Sequence, residues 1–502
     1  MSQSPSPPVS LSRLLRGFVQ VPNGLDKPIA GLANDSHAVR EGDLFLATRG
    51  LRHHGLEFFE VAREKGAAAV VWEPPFPGRI TEPARLPMWA VADLSRKLSI
   101  LASRFYGEPA RDLGLIGVTG TDGKTSCAHF IAQSLGRAGR HCGVLGTLGY
   151  GFPHDLAPTS HTTPDALTLQ CMLADLRTRG ASHVAMEVSS HALTQGRVAE
   201  LPFSVAVLTN LGRDHLDYHG DMNAYRAAKR RLFFDNRPRC AVVNLDDAFG
   251  GTLAEELRGR IPVVGYGFQA PSSAGCDAFV RGEHLALTRA GLRMTVTSSW
   301  GQGAIRSRLI GDFNGANLLA VLGVLLALDI PFAEALGHVA EVSTVPGRME
   351  CFGGQAGKPL VVVDYAHTPQ ALEQALKVLR RLCQGQLWCV FGCGGERDPG
   401  KRPLMGACAE RFADHVIITD DNPRGEDARE IIEAIRSGMK HPDAPRVIRD
   451  RQSAITRALA ESAGQDVVLI AGKGHEDYQL VGTRRVAVSD RDSVRQWMAE
   501  NP

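Results

Sequence analysis

Apolar, strand-like runs alternate with helical segments over most of the chain, and this alternation limits the possible folds more than any other feature. The central part carries five such runs: LGLIGVTGTDGKTS, HCGVLGTLGY, SHVAMEVSS, FSVAVLTNLG and CAVVNLDD. A second series follows STVPGRMECF, with the runs PLVVVDYAH, LWCVFGCGG, HVIITDDNP and DVVLIAGKGHE. Strands that alternate with helices form mostly parallel sheets covered by helices. The sequence therefore predicts an α/β protein.

Length and pattern together predict three domains in the 502 residues, because about 150 residues per domain is usual. The first, residues 1–107, mixes short strands with turns and ends in a helical stripe, and its residues 1–10 are predicted to be a disordered tail. The second, residues 108–345, holds the first α/β series and an antiparallel addition between about 275 and 310. The third, residues 346–502, holds the second series.

Charge and cysteine content exclude several classes of protein. The net charge is +2, from 56 basic and 54 acidic side chains, so no global attraction to nucleic acid or membrane is indicated. The ten cysteines contain no CxxC pair and indicate reduced thiols. The start, MSQSPSPPVS, lacks the features of a signal peptide, and the apolar run 318–328 is too short to span a bilayer. We expect a cytoplasmic protein, and by default an enzyme.

The segment GVTGTDGKTS is the strongest single motif, because an apolar strand enters a glycine-rich turn and a helix follows. Backbone N–H groups of such a loop bind phosphate oxygens, the Lys124 ammonium adds positive charge, and the Thr125 hydroxyl can bind Mg²⁺. The strict GxxxxGK[ST] pattern is not met, because Val118 occupies the position of its first glycine. The alternative is a glycine-rich turn that only packs. The predicted phosphate-binding residues are Gly120, Thr121, Asp122, Gly123, Lys124, Thr125 and Ser126.

Two further strand ends carry candidate metal ligands. Glu187 follows SHVAM, and His215 follows the next strand, so a parallel sheet would place both beside the phosphate loop. Either residue alone is more often a structural polar group at a strand end, but together with GKTS they favour a Mg²⁺ site. Lys229, on a helix one turn after Tyr225, could be an ordinary solvated lysine.

These motifs occur in the order found in the Mur ligases of peptidoglycan synthesis, and the resemblance extends from NDSHAVREGDLFLA to GKGHEDYQ. It rests on TGTDGKTS, MEVSSHAL, TNLGRDHLDYHG, GRME, DYAHTP, FGCGGERDPGKRP and GKGHE. The resemblance implies ATP-dependent amide bond formation through an acyl phosphate, with ATP as co-substrate and Mg²⁺ as cofactor. It also implies a small N-terminal α/β uridine-binding domain, a central P-loop-type ATPase domain and a C-terminal Rossmann-like domain. A monomer is expected.

The resemblance assigns roles around the nucleotide. Lys124, Glu187, His215 and Lys229 are expected to be catalytic, with Thr125, Glu187 and His215 as metal ligands. Lys229 matches a lysine that is carbamylated in the family (N6-carboxylysine). Further ATP contacts are expected from Asn314, Arg348, Asp364 and His367. For these four, structural roles such as helix capping by Asn314 are the alternative.

The acceptor substrate implied is UDP-N-acetylmuramoyl-L-alanyl-D-glutamate. The residues expected to bind it are Ser36, Thr162, Thr163, Ser189, Gln195 and Arg197. Hydroxyl, amide and guanidinium groups suit a ligand with many acceptor oxygens. The chain departs from the family at His37, where arginine is usual, and at His161, where asparagine is frequent.

The stretch DNPR resembles the family signature for addition of meso-diaminopimelate, an amino acid with two zwitterionic ends. The Arg424 guanidinium can bind the distal carboxylate in a bidentate fork, beside Asn422, while Pro423 stiffens the turn. The residues expected to bind diaminopimelate are Arg397, Asp421, Asn422, Pro423, Arg424, Gly472 and Glu476. A turn capped by Asp or Asn at a helix N-terminus is the plainer alternative, and both can hold together.

Other functions remain as alternatives. A lysine-adding Mur ligase would lack the arginine of DNPR, and a folylpolyglutamate synthetase would need neither DNPR nor an N-terminal uridine domain. A non-catalytic nucleotide-binding module would bind ATP without turnover. A GTPase is excluded, because no Asn/Thr-Lys-x-Asp segment follows a strand.

Overall fold

The computed structural model describes residues 8–50, 53–78, 86–159, 161–269, 275–354 and 357–501. Its contacts divide the chain into two compact units. The first comprises Met1–Arg281, Ser298–Trp300 and Leu319–His338, and the second comprises Gly282–Thr297, Gly301–Leu318 and Val339–Pro502.

The N-terminal part of the first unit is a small parallel sheet with helices. Its elements are β1 (Val9–Ser10), α1 (Leu11–Leu15), β2 (Pro28–Ile29), β3 (Gly31–Ala33), β4 (Asp43–Ala47), α2 (Phe59–Glu64), β5 (Ala69–Trp72), β6 (Met88–Ala90) and α3 (Leu94–Phe105). Strands β3, β4, β5 and β6 pair in that order, all parallel. Leu98, Leu101 and Phe105 lie on one face of α3 and share a core with Leu44 and Leu46 of β4, as the helical and strand periodicities require.

The rest of the first unit is built on the central sheet. Its elements are β7 (Gly114–Thr119), α4 (Lys124–Arg137), β8 (Cys142–Gly146), β9 (Gly149–Phe152), β10 (Asp155–Ala157), α5 (Ala166–Thr178), β11 (His183–Glu187), α6 (Ser190–Thr194), β12 (Phe203–Leu208), α7 (Leu216–His219), α8 (Met222–Phe234), β13 (Cys240–Asn244), α9 (Ala248–Leu257) and β14 (Val263–Gly267). There follow β15 (Ala278–Thr288), β16 (Gly291–Ser298), β17 (Gly301–Ser307), α10 (Asp312–Ala327) and α11 (Phe332–Ala340), of which residues 282–297, 301–318 and 339–340 belong to the second unit. Strand order is β10-β9-β8-β11-β7-β12-β13-β14-β15-β16-β17.

The register of the central sheet positions its polar strand ends. All pairings from β8 through β14 to the start of β15 are parallel. Glu187 of β11 pairs with Val118, and Leu208 of β12 pairs with Thr119. The carboxyl ends of β7, β11 and β12 therefore meet at one edge, where ligands bind in open α/β sheets.

The second unit contains a smaller sheet whose two faces are both covered. Its elements are β18 (Glu350–Gly353), β19 (Leu360–Asp364), α12 (Pro369–Leu382), β20 (Leu387–Phe391), α13 (Lys401–Phe412), β21 (His415–Ile418), α14 (Ala428–Arg436), β22 (Arg446–Val447), α15 (Arg451–Glu461), β23 (Val467–Ala471), β24 (Tyr478–Val481), β25 (Arg484–Ala487) and α16 (Asp490–Glu500). The order is β18-β19-β23-β20-β21-β22, and only β18 is antiparallel to its neighbour. Val362 of β19 lies in the hydrophobic core on one face of the sheet. Val361 and Val363 lie in the core on the opposite face.

Several local expectations can be compared with this architecture. Of the predicted disordered tail 1–10, residues 1–7 lie outside the described residues, whereas Val9 and Ser10 pair with Ile29 and Pro28 in a short strand and are therefore ordered. Neighbouring strands β15, β16 and β17 are joined by two-residue connections, which requires the antiparallel arrangement that was predicted. The apolar run 318–328 lies largely in the buried helix α10. No helix in the described parts of the chain has both the length and the apolar character of a membrane span.

Candidate active site

The phosphate loop connects β7 to α4 and has the predicted strand–loop–helix form. Gly120 has a φ of +152°, and a Cβ at this position would lie 1.8 Å from the Thr209 hydroxyl oxygen. Gly123, with a φ of +81°, occupies the N-cap of α4. Both positions require glycine, so the sequence spacing is set by the loop geometry.

The segment TNLG after β12 holds this loop in place. Thr121 N–H donates to the Asn210 carbonyl at 3.0 Å, and Asp122 N–H donates to the Asn210 side chain at 2.9 Å. The Thr209 hydroxyl donates to the Asp122 carbonyl at 2.6 Å. Thr209 and Asn210 were not predicted as site residues. Their contribution follows from the pairing of β7 with β12, which the sequence could not specify.

The first two residues of α4 carry the charged and hydroxyl groups of the site. Lys124 Nζ lies over the loop and donates to the carbonyl oxygens of Gly120 at 2.9 Å and Thr121 at 2.7 Å. The Thr125 hydroxyl donates to Glu187 Oε2 at 2.9 Å. An ammonium, a hydroxyl and a carboxylate therefore converge at the N-terminus of a helix, which is an environment for a phosphate and a hard cation.

Glu187 is buried at the end of β11, and its carboxylate is held by several donors. Oε1 accepts from Thr147 N–H at 2.7 Å, and Oε2 accepts from the Thr147 hydroxyl at 3.2 Å as well as from Thr125. Thr147 was not predicted, although it follows β8, whose carboxyl end adjoins β11. Hydroxyl and carboxylate oxygens suit Mg²⁺, which uses few protein ligands alongside phosphate oxygens and water. The donor set therefore fits this cation.

His215 lies apart from that carboxylate. It precedes α7 with a φ of +52°, its side chain is 44% exposed, and Nε2 lies 3.2 Å from Asp214 Oδ2. Its ring is edge-on to that of His191, with centroids 4.9 Å apart. Within the described residues His215 does not contact Glu187, and no three His, Cys, Asp or Glu side chains form a metal-binding group. The role of His215 as a ligand stays a prediction.

Lys229 is a buried lysine at the phosphate loop. It lies on α8, which begins after the capping residue Asp221. Its Nζ donates to the Gly120 carbonyl at 2.6 Å and lies 4.5 Å from the centre of the Tyr225 ring. Burial, together with the nearby Lys124 cation, holds the pKa of Lys229 well below its usual value of 10.5. The solvated-lysine alternative does not apply to this side chain.

The candidate residues for the muramoyl-peptide form one connected group. Thr163 is central: its hydroxyl donates to the Glu187 carbonyl at 2.8 Å and accepts from Ser189 N–H at 3.1 Å, and its carbonyl accepts from Arg197 Nη1 at 2.6 Å. Gln195 Oε1 accepts from Arg197 Nε at 2.9 Å. The structure thus brings these predicted residues together beside Glu187.

Two neighbours extend this group. The Thr162 hydroxyl lies 3.1 Å from that of Thr147, and Gln195 Nε2 donates to the Tyr218 hydroxyl at 3.1 Å. Tyr218 was not predicted; it lies in the quoted stretch TNLGRDHLDYHG. His161, one of the two departures from the family pattern, is exposed.

Ser36 lies in the N-terminal part and contacts none of these residues. It is buried in a short 3₁₀ helix, with its hydroxyl 3.4 Å from His37 Nδ1. An open pocket of about 280 Å³ adjoins it. The pocket is lined by Asn34, Asp35, Ser36, His37, Phe45, Thr48, Gly50, His53, Gly55 and Phe58. Polar and aromatic side chains in a small concave site suit a flat, polar group.

In the second unit, three of the four remaining nucleotide candidates surround Tyr365. The Arg348 guanidinium lies 4.7 Å from the centre of its ring. His367 Nδ1 is 2.8 Å from the Tyr365 carbonyl, and desolvation by the surrounding protein lowers the pKa of the His367 imidazole although the residue keeps an exposed surface. Asp364 accepts from Met349 N–H at 2.7 Å, and burial raises the pKa of its carboxyl although Arg348 opposes the shift.

Asn314 makes local side-chain bonds at the start of α10. It lies in the first turn of α10, is buried, and donates through Nδ2 to the Ile310 carbonyl at 2.8 Å. Its Oδ1 accepts from Asn317 at 3.1 Å. This network stabilises the start of the helix, and the ATP contact of Asn314 stays a prediction.

The DNPR loop follows β21 and is fastened to the hairpin β24–β25. Arg424 has a φ of +51°; its N–H donates to the Leu480 carbonyl at 2.9 Å, and its carbonyl accepts from Gly482 N–H at 2.7 Å. Nη1 donates to the Gly395 carbonyl at 2.7 Å. These bonds fix the backbone and one edge of the guanidinium, leaving Nε and Nη2 without a bond to the described residues.

The other diaminopimelate candidates lie around this loop. Asn422 is buried and donates through Nδ2 to Glu476 Oε2 at 2.9 Å. Asp421 accepts from Asn422 N–H at 2.7 Å, and its Oδ2 would lie 2.7 Å from a Cβ on Gly472. Arg397 is exposed, and like Arg424 it lies against Gly394. Pro423 is buried. The structure thus groups all seven candidates.

Two ion pairs that support the loop were not predicted. Arg402 Nη2 donates to both oxygens of Glu426, at 3.0 and 2.8 Å. Behind Asp421, Arg451 donates to the two oxygens of Asp490 at 2.6 and 2.8 Å, and neither side chain is exposed. Arg451 also donates to the Ala471 carbonyl at 2.9 Å. No sequence signal pairs these charges, which are far apart in the chain.

Substituting Asp490 by alanine is expected to destabilise the second unit by about 3–5 kcal/mol, because the buried Arg451 cation would lose its counter-charge. At ~2–4 °C per kcal/mol, its melting transition should fall by roughly 6–20 °C in calorimetry. Asp492→Ala is the matched control, since the Asp492–Arg495 pair on the same helix is 70% and 50% exposed and contributes about 0–1 kcal/mol. Equal melting temperatures for the two variants would contradict the importance of the buried pair.

Comparison with known proteins covers almost the whole chain. Residues 28–106 match the model "Mur ligase family, catalytic domain", residues 118–325 "Mur ligase middle domain" and residues 347–474 "Mur ligase, glutamate ligase domain". A relative from Alkalilimnicola ehrlichii, named UDP-N-acetylmuramoyl-L-alanyl-D-glutamate--2,6-diaminopimelate ligase, is 48% identical over 98% of this chain and 99% of its own. One of the same name from Xanthomonas campestris pv. campestris is 50% identical over 93% of each chain. A solved structure of a ligase with this name gives a TM-score of 0.72 at 34% identity, covering 98% of this chain and 99% of its own.

Proposed function

This chain belongs to the Mur ligase family, and we propose that it is the ATP-dependent ligase that adds meso-diaminopimelate to UDP-N-acetylmuramoyl-L-alanyl-D-glutamate. The observation that carries the choice of amino acid is the DNPR loop, where the Arg424 guanidinium has N–H groups available near Asn422, which in turn donates to Glu476. The distal carboxylate of diaminopimelate can bind to Arg424, and its distal ammonium can bind to Glu476. Relatives that share nearly the full length carry the corresponding name.

The reaction joins a carboxylate to an amine through an acyl phosphate. A carboxylate oxygen of the acceptor attacks the γ-phosphorus of ATP, and the bond to the ADP oxygen breaks. The amine nitrogen then attacks the acyl carbon, the carbon–oxygen bond to phosphate breaks, and the ammonium proton passes to solvent. Lys124 and the N–H groups at the start of α4 hold the transferred phosphoryl group and offset its charge. Mg²⁺ would supply further charge neutralisation, and Thr125 and Glu187 would hold it, with His215 as a third candidate.

Each of four groups of residues is assigned to one part of a substrate. The pocket beside Ser36 takes the uracil end, and the group around Thr163 and Arg197 binds the muramoyl-peptide next to the metal ligands. Arg348, Asp364 and His367, with Asn314, are further proposed contacts to ATP. The seven residues around DNPR bind the incoming amino acid. The protein acts as a cytoplasmic monomer, with domain boundaries at 107/108 and 345/346.

Lys229 is carbamylated in the active enzyme. Its depressed pKa keeps more of the side chain as the neutral amine, which is the form that attacks CO₂. The new N–C bond forms while one C=O electron pair moves to oxygen and the ammonium proton leaves to solvent. The resulting carbamate anion offsets the charge of Lys124 and supplies oxygen ligands at the phosphate loop.

Enzyme equilibrated with ¹³C-bicarbonate is expected to show a carbamate resonance that disappears in Lys229→Ala. Removing bicarbonate should lower turnover several-fold, reversibly. Lys97→Ala is the control, because Lys97 is a half-buried lysine away from the phosphate loop whose Nζ donates to the Ala92 carbonyl. An unmodified amine in fully active wild-type enzyme would contradict the modification.

The proposed reaction is tested by phosphate release and product mass. Wild-type protein is supplied with ATP, Mg²⁺, the UDP-muramoyl-dipeptide and one amino acid: meso-diaminopimelate, lysine or glutamate. Release is expected only with diaminopimelate, together with a product heavier by that residue. Preference for lysine would indicate the lysine-adding member, use of glutamate with a folate acceptor would indicate folylpolyglutamate synthetase, and ATP binding without release would indicate a non-catalytic module.

A further inference from the structure

Lys473 is a buried lysine beneath the DNPR loop. It follows β23 in the stretch AGKGHE and has no exposed surface. Its Nζ donates to Glu476 Oε2 at 2.9 Å and to Asn422 Oδ1 at 3.2 Å, and it lies 5.4 Å from the centre of the Tyr478 ring. A buried ammonium is costly unless its donors are satisfied, so these bonds fix its position.

The bonds from Lys473 also fix the amide of Asn422. Asn422 Oδ1 accepts from Leu480 N–H at 2.9 Å in addition to Lys473, while its Nδ2 donates to Glu476. With two donors on Oδ1 and an acceptor at Nδ2, only one orientation of the amide satisfies all three partners. Leu480 in turn accepts from Arg424 N–H, so the amide and the arginine are anchored to the same strand.

Glu476 is oriented by the same network. Its Oε2 accepts from both Lys473 and Asn422, whereas Oε1 has no bond to the described residues. The carboxylate therefore presents Oε1 as the acceptor that remains for an ammonium group. Without the Lys473 cation, Oε2 would compete for that ammonium, and the amide of Asn422 could rotate.

We infer that Lys473 is a positioning residue that sets the specificity of the amino-acid site: it holds Asn422 and Glu476 in the arrangement that receives a distal zwitterion. This inference rests on the proposed function. Lys473 would not touch the substrate, but it would determine how Asn422 and Glu476 contact it.

Lys473→Met removes the charge and donors with little change in side-chain length. It is expected to raise KM for diaminopimelate roughly ten- to hundredfold, as for loss of hydrogen bonds to a buried charged group. The values of kcat, and of KM for ATP and for the UDP-substrate, should change by less than about threefold, because the contact acts on binding of one substrate only. Lys377→Met is the control, since Lys377 forms an exposed pair with Glu373.

A double-substitution cycle separates positioning from general stability. If Lys473 acts through Glu476, then Lys473→Met combined with Glu476→Gln should impair diaminopimelate use little more than the worse single change, whereas independent effects would multiply. If the Met variant does not fold, Lys473→Arg keeps the buried charge but places a longer, planar group against Asn422. It is expected to raise KM for diaminopimelate by a smaller factor.

The inference is overturned by a soluble Met or Arg variant with unchanged KM for diaminopimelate, or by effects that multiply in the cycle. Wild-type enzyme is assayed first with diaminopimelate and lysine. If wild type does not ligate diaminopimelate, the proposed function fails; if wild type does and the variants keep its KM, only the role of Lys473 fails.

Discussion

Replacing Lys124 by alanine is expected to lower kcat for phosphate release by roughly 10²–10³-fold, the cost of removing one electrostatic donor from a transition state. Lys124 opens α4, and in the structure its ammonium is held by carbonyl oxygens of the loop, where it can turn to a phosphoryl group. Binding of the UDP-substrate should remain largely intact, because its candidate residues are separate side chains. Steady-state phosphate release and calorimetric titration with the UDP-substrate measure the two effects.

The bonds from Lys124 to Gly120 and Thr121 raise a second explanation, that the lysine only shapes the loop. Lys124→Arg keeps a cation but is longer and planar, so it should retain the fold and part of the activity. Lys97→Ala, which removes a half-buried lysine of the same unit away from this loop, should match wild type in both assays. Phosphate release at the wild-type rate by Lys124→Ala would overturn the assignment of this loop.

The architecture was largely predictable because parallel strands buried on both faces give long apolar runs. The α/β fold of three Mur ligase domains is confirmed by the family matches and by the solved relative. The run HCGVLGTLGY was predicted as one strand but contains two, β8 and the start of β9, joined at Thr147 and Leu148. The hairpin β24–β25 was not predicted either. Short antiparallel strands at an edge carry weak periodicity, so tertiary pairing decides them.

The candidate site likewise contains contacts that the sequence could predict and contacts that it could not. The proximity of Thr125 to Glu187, 62 residues apart, was predictable, since Glu187 ends β11 and the loop that leads to Thr125 leaves the carboxyl end of the adjacent parallel strand β7. Lys229, for which the resemblance implied carbamylation, lies at the phosphate loop. Thr147 and the Arg451–Asp490 pair were missed, because a threonine after a strand and a charge on a helix are common anywhere. Their partners are fixed only when the sheet is assembled.

Arg424→Ala is expected to lower kcat/KM for diaminopimelate roughly thirtyfold to several-thousandfold, because losing a charge-assisted pair to a desolvated carboxylate costs about 2–5 kcal/mol. The loss should appear chiefly in KM if the contact is equally strong in ground and transition states. The backbone of residue 424 is held in the left-handed region by bonds to Leu480 and Gly482 that any residue can make. The loop should therefore survive the substitution, although alanine is strained there.

The matched control is Arg429→Ala, an exposed arginine at the start of α14 with no assigned role. Arg429→Ala should leave the kinetics with diaminopimelate unchanged. In both variants the dependence of the rate on ATP and on the UDP-substrate should match that of wild type. Efficient use of lysine by Arg424→Ala is not expected, because Glu476 and Asn422 still shape the distal end of the site. Kinetics of wild type and both variants with diaminopimelate and lysine decide the matter. If Arg424→Ala keeps the full wild-type preference for diaminopimelate, the guanidinium serves the loop through its bond to Gly395 and does not select the substrate.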